Sequence, residues 1–99
     1  MTIRFLRVAQ TEFDEAMKWY HAAVPGLENA FRADVVARLR DIGSFPLSRP
    51  ELAPGIRRAK LRRFPYFIIY SVSTEDIVVL AVAHMRRRPR SWRDRLPES

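Results

Sequence analysis

The sequence predicts an α+β domain with two N-terminal helices packed on one face of a small, mainly antiparallel sheet. The expected order is β-α-α-β-β-β, followed by a basic C-terminal tail. Two observations carry this reading. Apolar residues recur at helical spacing through the first half of the chain, and after residue 55 the period switches to two. Helices followed by a run of strands need a common core, which sets the helices on a sheet face. The 99 residues, 47% of them apolar, are enough for one such core and not for two, so a single domain over residues 1–99 is expected.

Ile3–Val8 (I-R-F-L-R-V) reads as a short first strand. Thr11 is placed to cap a helix, with Glu12, Asp14 and Glu15 complementing the dipole of its first turn. Phe13, Ala16, Met17, Tyr20 and Ala23 then form one apolar stripe, broken by Pro25-Gly26. A second stripe of Leu27, Phe31, Val35, Leu39 and Ile42 ends near Gly43. Residues 43–55 hold Pro46, Pro50, Pro54 and Gly55 and read as a stiff loop. In Ile56–Phe64, Ala59 and Leu61 alternate with Arg58, Lys60 and Arg62, the pattern of a half-buried strand. Tyr66–Val72 is apolar on both faces, a central strand; Ser73–Asp76 makes a hairpin turn, and Ile77–Ala83 is its buried partner. From His84 onward the chain is basic, with Pro89 and Trp92 and a single helical turn near its end.

The charge is unevenly placed. Of 18 Lys+Arg and 11 Asp+Glu, residues 1–48 hold six of each sign, so the whole formal charge of +7 lies in residues 49–99. Two clusters dominate: Arg57, Arg58, Lys60, Arg62 and Arg63, then Arg86, Arg87, Arg88, Arg90, Arg93 and Arg95. Sixteen of the 18 cations are Arg, which suits bidentate contact with phosphate or carboxylate. A solvated surface explains one such cluster; two beside a neutral half point to an anionic partner. The expected binding surface is the sheet face opposite the helices, carrying Arg58, Lys60 and Arg62 and flanked by the tail arginines.

Other classes are excluded or left without support. Zero cysteines rule out disulfides, thiol catalysis and thiolate zinc sites. Two histidines with no matching carboxylate pattern make no metal site, and three glycines provide no phosphate loop, so no metal and no cofactor are expected. No apolar run approaches the roughly 18 residues of a membrane span, and Met1-Thr2-Ile3-Arg4 does not open a secretory leader. No membrane partner and a cytoplasmic location are expected. His84 ends an apolar strand beside an arginine cluster, as a structural histidine or as a general base. With Arg58, Lys60, Arg62 and Arg86 it would supply parts of an RNA-cleaving site, the proton donor remaining unassigned. Trp92, Tyr66 and Tyr70 are either stacking platforms for bases or core residues. His21 is expected to be exposed. Trp19 and Val36 lie beside the two helical stripes and either widen the core or leave an apolar strip for a partner.

These residues together resemble a known family. The run Arg57–Tyr70 (R-R-A-K-L-R-R-F-P-Y-F-I-I-Y) is similar to the R-x-x-x-x-x-x-F-P-Y-x-I-x-Y stretch of RelE/ParE-type toxins. Val79–Trp92 (V-L-A-V-A-H-M-R-R-R-P-R-S-W) resembles that family's ending, and Ala16–Tyr20 with Pro25-Gly26-Leu27 fits its helix pair. The resemblance spans nearly the whole chain in order. It implies a toxin of a type II toxin–antitoxin system, inactivated by a cognate antitoxin encoded by the adjacent gene, acidic and partly disordered. Trp19 and Val36 would then meet the antitoxin. The family divides over its target: ParE-like members inhibit DNA gyrase, and RelE-like members cleave mRNA on the ribosome. Lys60, Arg62, His84 and Arg86 match the RelE-type catalytic positions; Arg58, Arg63, Arg87, Arg88 and Trp92 would bind the target. Trp92 stands where the nucleases often carry a tail Tyr, and an indole cannot transfer a proton from oxygen. The F-P-Y and His-Arg-Arg-Pro-Trp details favour the ParE side, so gyrase inhibition is the expectation. The mRNA endonuclease and a non-toxic nucleic-acid-binding module are the alternatives.

Overall fold

The computed structural model describes residues 2–86 together with Trp92, Arg93 and Arg95. β1 (Thr2–Phe5) leads into α1 (Arg7–Ala23) and α2 (Leu27–Ser44), and four strands follow: β2 (Glu51–Ala53), β3 (Ile56–Lys60), β4 (Tyr66–Val72) and β5 (Asp76–His84). One five-stranded sheet results, in the order β1-β5-β4-β3-β2. β1 runs parallel to β5 and the other pairs are antiparallel. The α+β class and the mainly antiparallel sheet are as the sequence predicts.

Three boundaries differ from expectation, each for a local reason. At Leu6 the N–H donates to the Val79 carbonyl at 3.0 Å while its carbonyl accepts from the Gln10 N–H at 3.0 Å. Strand therefore passes to helix within one residue: α1 begins at Arg7, with no side-chain cap, and Thr11 lies inside it. Residues 43–55 are not all loop, because α2 runs on to Ser44 and Glu51–Ala53 adds an edge strand to β3. The order is therefore β-α-α-β-β-β-β. Pro50 and Pro54 flank that edge strand, where a missing ladder donor is tolerated, and Gly55 at φ 76° turns the chain into β3. β3 itself stops at Lys60 instead of reaching Phe64, since side chains of α2 take over the backbone bonds of the next residues.

The helix pair turns at Gly26, φ 99°. Glu28 ties the turn: Oε1 accepts from the Gly26 N–H at 2.7 Å, and Oε2 meets Nδ1 of the exposed His21. Phe31, Val35 and Ile42 of α2 and Ala16 of α1 are buried against the sheet, as the stripes predict. Phe31 stacks near Phe13, 5.8 Å between centroids, and meets Phe64 edge-on at 5.3 Å. The sheet is apolar on both sides. Ile68, Tyr70, Ile77, Val79 and Val82 face the helices, whereas Ile56, Ile69, Val78, Leu80 and Ala81 form a second cluster with Trp92. This accounts for the two-sided apolar pattern read in β4 and β5. In β5 the register shifts: Ile69 pairs with Ala81 and Tyr70 with Val79, so Leu80 is an extra residue, a β-bulge.

Candidate functional site

The basic face starts on β3. Its register sets Arg58 opposite Ile69 and Lys60 opposite Phe67, so both cations share the side of the sheet that carries Ile69, away from the helices. Both are exposed, while Ala59 and Leu61 are buried on the other side at 1% exposure each. The Arg58 guanidinium lies 4.5 Å from the Phe67 ring centroid. A contact of that kind, about 0.5–1 kcal/mol at an exposed site, holds the planar group against the sheet. Arg57 does not belong to this face. It lies opposite Tyr70 on the helix side and is bound to Glu51 Oε1 at 3.1 Å and to the Arg49 carbonyl. Burial pushes the Tyr70 hydroxyl pKa up, and the nearby charges of Arg49 and Arg57 pull against that shift.

Beyond Lys60 the chain is gripped from below by α2. Asp34, 7% exposed, accepts three backbone N–H groups: Arg62 at 3.2 Å on Oδ1, Arg63 at 2.8 Å and Phe64 at 3.2 Å on Oδ2. One helical turn along, Arg38 Nε donates to the Lys60 carbonyl at 2.8 Å, and its NH1 group donates to Asp41. The Leu61 N–H closes the turn on the Tyr66 carbonyl at 2.9 Å. With the backbone polar groups held inward, Arg62 and Arg63 remain exposed. Sequence reading missed both Asp34 and Arg38. The available signal was an acid set between Phe31 and Val35 of the buried stripe, where an uncompensated carboxylate would be costly.

The tail is also held by an acid from a helix. Arg95 donates to both carboxylate oxygens of Glu12, at 2.8 and 3.2 Å, and to the Leu80 carbonyl at 3.0 Å. Glu12 Oε1 in turn accepts the Val82 N–H at 3.0 Å. Trp92, expected to bind the target, is 4% exposed and packs into the second cluster. It covers an apolar sheet face that would otherwise meet water, so in this structure it is a core residue and offers no ring face to a base. Tyr66 and Tyr70 are likewise turned to the helix side, Tyr66 lying 5.2 Å from Phe31. Arg86 is exposed; Arg87 and Arg88 lie outside the described residues.

His84 pairs with Tyr66, and their rings meet edge-on at 5.1 Å. It therefore shares the helix-facing side of the sheet, and its Nδ1 accepts the Arg86 N–H at 3.1 Å. Lys60 and His84 lie on opposite faces. The bulge causes this: in a regular β5, His84 would share the side of Val78 and Leu80, but the extra residue reverses the alternation from Ala81 onward. Lys60 and His84 therefore do not share one catalytic face, while Arg62 and Arg86 are exposed beyond the ends of β3 and β5. Trp19 and Val36 are exposed at 70% and 39%, which leaves both free to meet a partner.

Among the described residues no group of three or more His, Cys, Asp or Glu is arranged to hold a metal ion, and no helix is long and apolar enough to cross a membrane. Comparison by sequence with curated proteins finds no match. Among solved structures the chain is similar to one described as the chromosomal ParDE TA system from P. aeruginosa, with a TM-score of 0.76 and 21% identity. That alignment covers 87% of this chain and 97% of the other, and it supports the fold assigned above. The family model described as "ParE toxin of type II toxin-antitoxin system, parDE" matches residues 3–89. The match takes in both helices, all five strands and the arginine-bearing turn, and the chain belongs to the ParE toxin family of type II toxin–antitoxin systems.

Proposed function

We propose that this toxin arrests growth by binding DNA gyrase through the face formed by Arg58, Lys60, Arg62 and Arg63, without cleaving RNA. A cognate antitoxin encoded by the adjacent gene, acidic and partly disordered, neutralises it, with exposed Trp19 and Val36 among the residues it covers. Arg87 and Arg88 of the basic tail also bind the target, and toxin and antitoxin act in the cytoplasm. The observation that carries this reading is the separation of His84 from Lys60 by the thickness of the sheet. General acid–base cleavage needs its base within hydrogen-bond reach of the attacking hydroxyl and its cations around the same phosphate. A histidine packed edge-on against Tyr66 on the far side does not meet that requirement. Binding needs only a charged, complementary surface.

The test is a supercoiling assay with purified gyrase, relaxed plasmid and ATP. Added toxin is expected to abolish supercoiling, and added antitoxin to restore it. Primer extension on mRNA after induction is expected to show no codon-spaced cuts. Such cuts with intact supercoiling would overturn gyrase as the target in favour of the endonuclease. Strains expressing His84→Ala are expected to arrest within about twofold of the wild-type dose, because the ring packs on Tyr66 on the side of the sheet opposite the binding face. A collapse of toxicity in that variant, with the protein still folded, would favour the nuclease. Growth unaffected by any level of expression would leave the non-toxic nucleic-acid-binding module.

A further inference from the structure

We infer that Asp34 and Arg38 are positioning residues of the basic face: spaced one helical turn apart on α2, they fix the Lys60–Phe64 backbone and so set the direction in which Arg62 and Arg63 are presented. The inference rests on the reading of that face as the toxic surface. The pair grips both kinds of backbone group. Arg38 donates to the Lys60 carbonyl at 2.8 Å, and Asp34 gathers the N–H groups of Arg62, Arg63 and Phe64 between 2.8 and 3.2 Å. Three successive N–H groups aimed at one carboxylate form an anion cradle of the kind that backbone nests make for ligands. Here the anion is supplied from within the chain.

The carboxylate does two things that a neutral cap would not. Arg58, Lys60, Arg62 and Arg63 are four cations within six residues, and all are exposed. Their mutual repulsion disfavours any compact turn that sets them side by side. A 7%-exposed negative charge beneath the turn offsets that repulsion and accepts charge-assisted bonds, about twice as strong as neutral ones. An Asn side chain presents one acceptor oxygen and turns an NH2 group toward backbone donors, so it fills the same space without the same grip.

The experiment titrates growth arrest against inducer, with toxin level measured by immunoblot and folding by the urea midpoint. Asp34→Asn is expected to raise the arresting dose about tenfold, in line with the loss of one charge-assisted contact at the target. Arg62→Ala with Arg63→Ala is expected to raise it at least as far. Adding Asp34→Asn to that pair is expected to change nothing more, since no arginines remain to be aimed. Val35→Ala, a neighbouring core truncation on the same helix, is the control for stability alone and is expected to stay within about twofold per unit of folded protein. If Val35→Ala loses as much as Asp34→Asn at equal stability, or if the Asp34→Asn effect persists undiminished without the two arginines, positioning is overturned. If the double arginine variant arrests as well as the wild type, the reading of the face itself fails first and takes the inference with it.

Discussion

Glu12, which the sequence places in the first turn of a helix, lies inside α1 and makes contacts that such a place would not give it. It binds the Arg95 guanidinium through both oxygens and also accepts the Val82 N–H, and its side chain is only 27% exposed. Exposed ion pairs contribute little, but a partly buried, two-point pair that also satisfies a backbone donor is a different case. Glu12→Gln is expected to lower stability by about 1.5–3 kcal/mol and to loosen the tail. A Trp19→Phe background isolates Trp92 as the reporter, and its emission is expected to shift to the red in the variant. Unchanged emission would mean that Trp92 is held by its apolar contacts alone.

β1 is a four-residue strand held parallel to β5, and part of its hold is the Arg4–Asp76 pair at 3.0 Å. The Arg4 bond, then that of Ser73, lower the Asp76 pKa. A lowered folded-state value means the stabilisation is present above the unfolded value, about 3.9, and is lost as pH falls through the folded one. Urea midpoints measured downward from pH 5 are expected to fall less steeply for Arg4→Gln than for the wild type. Both helices and the long strands were legible in sequence, because Phe31, Val35 and Ile42 or Ile68 and Tyr70 repeat at periods set by backbone geometry. What escaped was whatever breaks a period. Leu80 sits within an apolar run where one extra residue leaves no compositional mark, yet it decides the side on which His84 emerges. β2 escaped because a three-residue edge strand between prolines carries no alternation to read. Asp34 escaped because its partners are backbone groups 28 to 30 residues away.

The molecule as a whole divides its labour by charge. Residues 1–48 carry six charges of each sign and supply the helical support; residues 49–99 carry the whole +7. Such asymmetry acts on encounter before contact, since a one-signed surface steers an anionic partner at low salt and loses its reach as the Debye length shortens. On the proposed reading, association with gyrase, followed by stopped flow, is expected to slow at least about tenfold between roughly 50 and 500 mM salt, with a much smaller change in dissociation. A rate indifferent to salt would move the contact away from the arginines.

The bonds that Glu12 and Arg95 make to β5 bear on self-association as well. β1 leaves the sheet at Leu6, so the β5 groups beyond it would stand as a bare template for a second chain to extend into a continuous ladder. Instead the Val82 N–H is answered by a carboxylate and the Leu80 carbonyl by a guanidinium. Side chains close the ladder where no strand does, and a partner chain approaching that edge meets a fixed ion pair in place of open donors and acceptors. A protein so rich in apolar strand can thereby accumulate without offering this edge as a seed for polymerisation.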